Sequence, residues 1–165
     1  MSYEKEHFDF CLNQVRNDIA NAKVGEGLVN IKGKIYSTVG LRIAKLRERF
    51  GTSISIRFVV HENTEDKVNI ECIISLDTAD KTKFLANGFA EKKRNLNFIT
   101  KTSAVEFCQT TALGRACASL GIIGDHNIAS AEEMFAAQDD SDKPMNVKTE
   151  PKIINKEKSD IWKRI

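Results

Sequence analysis

The spacing of apolar residues changes along the chain from a helical to an alternating period, and each change marks a predicted element. Apolar side chains stand at helical spacing over residues 3–22, and Gly25 follows as a helix-ending residue. Residues 28–36 read as a short extended segment that turns at 32–34. The pattern therefore predicts an amphipathic helix followed by a short extended piece.

A second helix is predicted directly after this segment. Ser37 is of the residue type that caps helix N-termini, and Gly51 is suited to the end of the helix. Between them, apolar residues recur every three or four positions, at Val39, Ile43, Leu46 and Phe50. One face of this helix should therefore be buried.

Three strands are predicted from the alternating stretches that follow. Apolar residues occupy every second position over 53–60, 68–76 and 83–90, and short polar turns separate the stretches. In the third stretch, one face should carry Phe84, Ala86, Gly88 and Ala90. Strands joined in this way form an antiparallel meander, and their alternation indicates that one sheet face is buried.

The next helix is predicted to cover that face. Ser103 and Glu106 have the spacing of a capping box, and the segment that continues to Leu120 is apolar except for Glu106 and Arg115. A helix without a charged face is usually buried on both sides. The sheet would cover one side, and either another helix or a second subunit would cover the other.

These elements predict an α+β fold over residues 1–138. It consists of an antiparallel three-stranded meander packed by a long helix, a β-β-β-α core, with flanking helices. Ser130 and Glu133 repeat the capping-box spacing before a short helix over 131–138. We therefore predict that residues 1–138 form one domain.

The C-terminal segment 139–165 is predicted to be a disordered tail. It holds both prolines of the chain and few apolar residues. Its tryptophan, Trp162, is the only one in the sequence, and a large aromatic side chain usually finds a partner. We predict that Trp162 docks onto a partner protein, with folding back onto the domain as the alternative.

Charge is distributed in blocks that the overall balance conceals. The 165 residues carry 25 basic and 23 acidic side chains, a net charge of +2. Residues 31–60 nevertheless hold a net +6 and residues 81–115 a net +5, whereas 61–80 and 116–150 hold −5 each. Such blocks can build a basic surface for a polyanion, although a solvated patchwork of charges would give the same totals.

Composition excludes several classes of protein. No apolar run reaches the ~20 residues that a membrane span needs, and the acidic N-terminal stretch lacks the apolar region of a secretory signal. The 4 cysteines and 3 histidines are scattered, which disfavours a zinc site and predicts reduced thiols in a cytoplasmic protein. We therefore expect no metal, no cofactor and no membrane partner.

An enzymatic role is not indicated. The segment from Gly27 to Lys34 is superficially similar to a phosphate-binding loop, but Ile35 stands where a magnesium-binding Ser or Thr is needed. The cysteines lie on or near apolar stripes, and we expect no activating histidine beside any of them. The sequence therefore predicts a binding protein and no catalytic residues.

Basic residues are the candidate binding groups. Arg42, Lys45 and Arg49 stand three and four positions apart and are predicted to form a basic ridge on the second helix. Cations that hold phosphates and rings that stack on bases are what single-stranded nucleic acid requires. Tyr36 could equally be a half-buried core residue, and 92–94 an exposed loop without a function. The predicted DNA-binding residues are Lys32, Lys34, Tyr36, Arg42, Lys45, Arg49, Lys92, Lys93, Arg94, Lys101 and Arg115.

Two segments resemble the Erf family of phage single-strand annealing proteins. KGKIYSTVGLRIAKLRERFG, which begins at Lys32, is similar to the entry region of that family, where a tyrosine-containing segment leads into an amphipathic helix. SAVEFCQTTALGRACASLGI, which begins at Ser103, is similar to the later small-residue helix that ends in Leu-Gly-Ile. This helix has a single arginine, Arg115, where Erf proteins have a tyrosine-rich, double-arginine start. The resemblance covers residues 28–125.

The resemblance implies a β-β-β-α core of the wider annealing superfamily, which includes Red-beta and the eukaryotic annealing recombinase. It also implies homo-oligomeric rings or helical filaments that bind single-stranded DNA in a positively charged groove and anneal complementary strands without ATP. The expected role is phage-type homologous recombination in the cytoplasm of an infected bacterium. A single-strand binding protein or an exonuclease would be a further partner.

Two alternatives stay open at this point. The protein could coat single-stranded nucleic acid as a replication accessory protein without promoting pairing. It could also be an oligomeric structural or regulatory protein whose basic face meets an acidic partner. Annealing of complementary oligonucleotides separates the expected function from the first alternative, and DNA binding across a salt series separates both from the second.

Overall fold

Helices and strands are joined by short turns through most of the chain that the computed structural model describes, namely residues 2–95, 98–124 and 127–139. The helices of these ranges are α1 (Ser2–Ala20), α2 (Val39–Phe50), α3 (Phe98–Thr102), α4 (Ala104–Ser119) and α5 (Ala131–Asp139). The strands are β1 (Leu28–Ile31), β2 (Lys34–Ser37), β3 (Ile54–Asn63), β4 (Lys67–Asp77) and β5 (Thr82–Lys93). The predicted α+β fold with its three-stranded meander and long helix is confirmed. The predicted tail lies outside the described residues from 140 onward, and Trp162 lies outside them with it.

Strands β1 and β2 form a hairpin whose turn explains the Lys-Gly pair between them. Ile31 pairs with Lys34, so Lys32 and Gly33 are the two turn residues, and both have positive φ angles (52° and 84°). Two-residue turns of this kind match the twist of a hairpin. On one face of the hairpin, Ile31 and Tyr36 pack against Ala131 of α5. The extended segment predicted around this turn is thus a hairpin that packs against α5.

Helix α2 begins one residue later than its predicted cap. Its N-cap is Thr38, whose Oγ1 accepts a hydrogen bond from the Leu41 N–H at 3.1 Å. Ser37, the predicted cap, is fully buried, and its hydroxyl accepts a hydrogen bond from Arg42 Nε at 2.8 Å instead. The helix ends before Gly51 as predicted. The neighbouring Ser and Thr both suit a cap, and burial decides between them.

A β-bulge in the three-stranded sheet reverses one predicted orientation. Strands β3, β4 and β5 pair antiparallel in that order, with Ile74 opposite Ala86 and Ser75 opposite Phe84. Leu85 is therefore an extra residue, and it packs against the core. The prediction that Phe84 shares the buried face with Ala86 is wrong, because the bulge turns its ring to the open face, where it is 58% exposed.

Helix α4 covers the other face of the sheet and is itself covered from behind. On the sheet side, Cys108, Ala112 and Ala116 are fully buried in the core. On the opposite side, Gly114 approaches Val39 of α2 and Ser130, so closely that a Cβ on Gly114 would lie 3.0 Å from Val39 Cγ2. The second cover of α4 is therefore another helix of the same chain, one of the two possibilities that its apolar character left open.

The two predicted capping boxes have different outcomes. Ser103 is the N-cap residue of α4, but its side chain makes no capping hydrogen bond. Ser130 and Glu133 form the complete box before α5: the Ser130 N–H donates to Glu133 Oε2 at 3.2 Å, and the Glu133 N–H donates to Ser130 Oγ at 3.3 Å. The helix that follows agrees with the predicted 131–138 to within one residue.

Candidate nucleic-acid interface

The predicted DNA-binding residues are distributed over different parts of the fold. Lys32 and Lys34 belong to the β1–β2 hairpin beside α5, whereas Lys45 and Arg49 belong to α2, which packs on α1. The stretch 92–94 comes before α3, and Lys101 lies in the last turn of α3. These residues therefore have different surroundings.

Arg42 does not lie on the surface. Its side chain is fully buried and donates four hydrogen bonds, to Ser37 Oγ (2.8 Å), Gly114 O (2.9 Å), Ala129 O (3.1 Å) and Ile128 O (3.2 Å). Burial lowers the pKa of Arg42, and nearby anionic groups partly oppose that effect. The prediction of an exposed basic ridge that includes Arg42 is wrong, because its guanidinium joins α2 to α4 and to the segment before α5.

Tyr36 is also removed from solvent. Only 6% of it is exposed, and it packs with Ile31 of the hairpin and Ala131 of α5. A base cannot stack on a ring that is covered in this way. The prediction that Tyr36 contacts DNA is therefore wrong, and the alternative, that Tyr36 is a core residue, is confirmed.

The other two members of the predicted ridge are at the surface but are paired. Lys45 Nζ lies 2.8 Å from Glu48 Oε2, and the two Arg49 nitrogens Nη2 and Nε lie 2.7 and 3.0 Å from Asp18 Oδ2. The hydrogen bond from Lys45 to Glu48 raises the pKa of Lys45, and the hydrogen bond to Asp18 raises that of Arg49. A DNA phosphate would have to compete with these carboxylates.

Arg94 and Arg115 use their guanidinium groups within the fold. Arg94 donates to Thr64 O at 2.8 Å and to Asn63 Oδ1 at 2.6 Å, which closes the β3–β4 turn. Arg115 donates to Phe89 O at 2.9 Å and pairs with Glu133 at 3.0 Å. The Phe89 carbonyl thereby receives a partner from α4, so the outer edge of β5 is partly covered.

Two of the predicted lysines lie at the end of β5 and a third lies on α3, the two elements that come directly before α4. We call Lys92, Lys93 and Lys101 the α3 basic group. The Lys92 ammonium lies 4.4 Å from the centre of the Phe107 ring, a cation–π contact at the start of α4. Lys93 and Lys101 are exposed, and neither makes an ion pair with any residue that the structure describes. This group combines available positive charge with an aromatic ring.

The open face of the sheet carries rings that sequence reasoning did not select. Phe89 is 50% exposed, and the His61 ring stacks on it with 5.7 Å between centroids. Glu71 holds the arrangement, because its carboxylate contacts His61 Nε2 at 3.0 Å and accepts from Asn87 Nδ2 at 2.8 Å. These hydrogen bonds, first from Asn87 and then from His61, lower the pKa of Glu71. Phe89 follows Gly88 in the alternating stretch, so alternation places the two residues on opposite faces of the sheet. This alternation could have identified Phe89 as a ring on the open face.

All four cysteines are buried and form no disulfide. Cys11 Sγ lies 3.7 Å from His7 Nε2, so the expectation that no cysteine has a histidine beside it is wrong. Burial raises the pKa of Cys72 and of Cys117 to about 12. No cluster of three or more His, Cys, Asp or Glu side chains suited to a metal ion occurs in the described ranges.

We expect Cys72 and Cys117 to resist alkylation in the folded protein. A thiol reacts as its thiolate, and burial both shields these sulfurs and keeps them protonated. Iodoacetamide at pH 8 should therefore label the two peptides only after guanidinium is added, as read by mass spectrometry. Labelling of Cys117 at equal rates with and without denaturant would contradict this placement.

Comparison with known proteins gives no family assignment. No protein-family model matches the chain, and no curated protein matches it in sequence. None of the helices in the described ranges combines the length and the apolarity that crossing a bilayer requires.

Proposed function

We propose that this protein binds single-stranded DNA and anneals complementary strands without ATP. The observation that carries the proposal is the α3 basic group, in which the cations of Lys93 and Lys101 are available and Lys92 lies on the Phe107 ring. Cations along a strand bind its phosphates, and rings hold its bases. The resemblance of residues 28–125 to Erf-type annealing proteins supports the same activity.

The proposed site differs from the one that the sequence suggested. Arg42 and Tyr36 are structural, and the cations of Lys45, Arg49 and Arg115 are paired with carboxylates. Lys93 and Lys101 of the α3 basic group, together with Lys32 and Lys34 at the hairpin turn, are the exposed cations of the proposed site. Phosphate contacts of this kind leave the bases free to pair with a second strand, which is what annealing needs.

We expect the double variant Lys93→Gln, Lys101→Gln to bind single-stranded DNA with a weaker salt dependence. Each phosphate contact to a single strand contributes about 0.7 to the slope of log affinity against log salt, so the slope should fall by about 1.4. Fluorescence anisotropy of a labelled oligonucleotide across a salt series measures it. Lys23→Gln is the matched control, because Lys23 is an exposed lysine in a loop after α1. An unchanged slope in the double variant would remove the α3 basic group from the site.

Annealing itself is tested separately from binding. Two complementary oligonucleotides with a donor and an acceptor dye should pair faster with the protein than without it, and ATP should make no difference. Binding without faster pairing would favour the accessory protein that only coats single strands. Failure to bind single-stranded DNA at low salt would overturn the proposal and favour a protein that meets an acidic partner.

Self-association is part of the proposal only through the resemblance. The apolar character of α4 no longer requires a second subunit, because α2 and Ser130 cover its rear face. Light scattering with and without single-stranded DNA measures the oligomeric state. A strict monomer under both conditions would remove rings and filaments from the proposed mechanism.

A further inference from the structure

A cavity of about 750 Å³ lies at the end of the fold where α1, the end of α2 and the β4–β5 turn meet. Its volume is within the range of small-molecule sites. Two aromatic rings belong to its wall, Phe8 of α1 and Phe50 of α2, with centroids 5.3 Å apart and planes at 44°. Leu76 extends the same apolar surface. The wall therefore offers ring faces and edges to a flat apolar group.

The charged part of the cavity wall is basic. Its charged lining residues are Lys5, Arg49, Lys81 and Lys83, and no Asp or Glu belongs to the lining. Lys5, Lys81 and Lys83 are exposed, whereas Arg49 is held by Asp18 at 2.7 Å. The acidic residues of the adjoining turn, Asp77 and Asp80, are outside the lining, and Asp77 accepts a hydrogen bond from Thr82. A cavity with this charge favours an anionic ligand.

We propose that this cavity binds a nucleoside phosphate, with the base against Phe8 and Phe50 and the phosphate among Lys5, Lys81 and Lys83. The two halves of the wall match the two halves of such a ligand, since bases stack on aromatic side chains and phosphates bind to lysine ammonium groups. Inorganic phosphate would leave the rings unused, and an uncharged nucleoside would leave the lysines unused. A nucleoside phosphate has two sources, a free nucleotide and a unit of a single strand.

Binding of a strand unit in the cavity rests on the proposed function, whereas binding of a free nucleotide does not depend on it. The cavity and the α3 basic group use different residues, because Lys81 and Lys83 flank the first residue of β5, whereas Lys93 is its last residue. Their contributions can therefore be removed one at a time.

Titration of the full chain with dAMP, deoxyadenosine and inorganic phosphate tests the cavity. We expect dAMP to bind at least about tenfold more tightly than either fragment, because it alone uses both the rings and the lysines. Amide shifts in an isotope-labelled sample should centre on Phe8, Phe50 and Lys81. Equal affinity for dAMP and inorganic phosphate, shifts centred elsewhere, or no binding of dAMP would overturn the proposal.

The double variant Lys81→Gln, Lys83→Gln supplies the second arm. It should lose about tenfold in dAMP affinity, since charge-assisted hydrogen bonds to the phosphate are removed, while Lys23→Gln keeps the affinity of the parent protein. Unchanged dAMP affinity in the double variant would overturn the assignment of these lysines and with it the site.

Single-stranded DNA then separates the two forms of the ligand. If the lysine double variant also binds an oligonucleotide more weakly, the cavity takes a unit of the strand, and if only dAMP binding falls, it takes a free nucleotide. Both results support the cavity. If the parent protein binds dAMP but does not bind single-stranded DNA, the proposed function is overturned and the cavity proposal stands. If it binds single-stranded DNA but not dAMP, the cavity proposal is overturned and the proposed function stands.

Discussion

Arg42→Met should lower the free energy of unfolding by about 4 kcal/mol or more, because it removes a buried guanidinium that donates two buried and two partly buried hydrogen bonds. An unsatisfied buried acceptor costs roughly 1–3 kcal/mol, and natural domains are stable by only about 5–15 kcal/mol. The acceptors are Ser37 Oγ and the carbonyls of Gly114, Ile128 and Ala129. The variant should therefore be largely unfolded or close to it, as measured by circular dichroism during urea titration.

Two comparisons keep this test specific. Lys45→Met removes a cation from the same helix, but Lys45 pairs with Glu48 at the surface, so the urea midpoint should move little. Arg42→Lys keeps the charge but has one nitrogen where the guanidinium has three, and it should be intermediate. If Arg42→Met has the midpoint of Lys45→Met and also a reduced salt slope in DNA binding, then Arg42 is a surface phosphate contact and the buried network is wrong.

Gly88→Ala should destabilise the fold by about 3 kcal/mol, which is the upper end of the usual cost of overpacking a core. Gly88 is the point at which β5 meets α4. A Cβ there would lie 2.8 Å from the carbonyl carbon of Arg115 and still closer to Ala112 O and Ala116 N. These are backbone atoms of a helix, so no rotamer change can make room. The helix would have to move away from the sheet.

Gly40→Ala is the matched control for this prediction. Gly40 is exposed on α2, and its nearest side-chain atom to a new Cβ would be Thr38 Oγ1 at 3.9 Å. Alanine is preferred over glycine in helices, so this variant should be as stable as the parent or more stable by up to about 1 kcal/mol. Thermal unfolding of the two variants side by side measures the difference. A Gly88→Ala protein as stable as Gly40→Ala would show that α4 does not approach β5 this closely.

The order and type of the main elements follow from local patterns. Alternation over 68–76 places Val68, Ile70, Cys72 and Ile74 in the core, and the structure confirms all four. The Ser130–Glu133 capping box and the glycine at the end of α2 are likewise local signals, because each involves residues within one helical turn. The short helix α3 gave no such periodic signal and was not predicted.

The charge blocks located basic segments but did not show whether each cation is exposed, paired or buried. Arg42, Lys45 and Arg49 look equivalent in the sequence, yet one is buried and two are paired. Asp18, the partner of Arg49, lies on a different helix, so no spacing rule on α2 could have identified the pair. The availability of a cation depends on its neighbours in space.

What the sequence by itself determined is the order of the main α-helices and β-strands and most of their buried positions, because helical and alternating periods are properties of neighbouring residues. Tertiary structure decided the rest. The three carbonyl acceptors of Arg42 are 72, 86 and 87 residues away along the chain, and the bulge at Leu85 exists only in the pairing of β4 with β5. The cavity between α1 and the β4–β5 turn likewise joins residues that are distant in sequence. Contacts of this kind depend on how the elements pack, which no local period encodes.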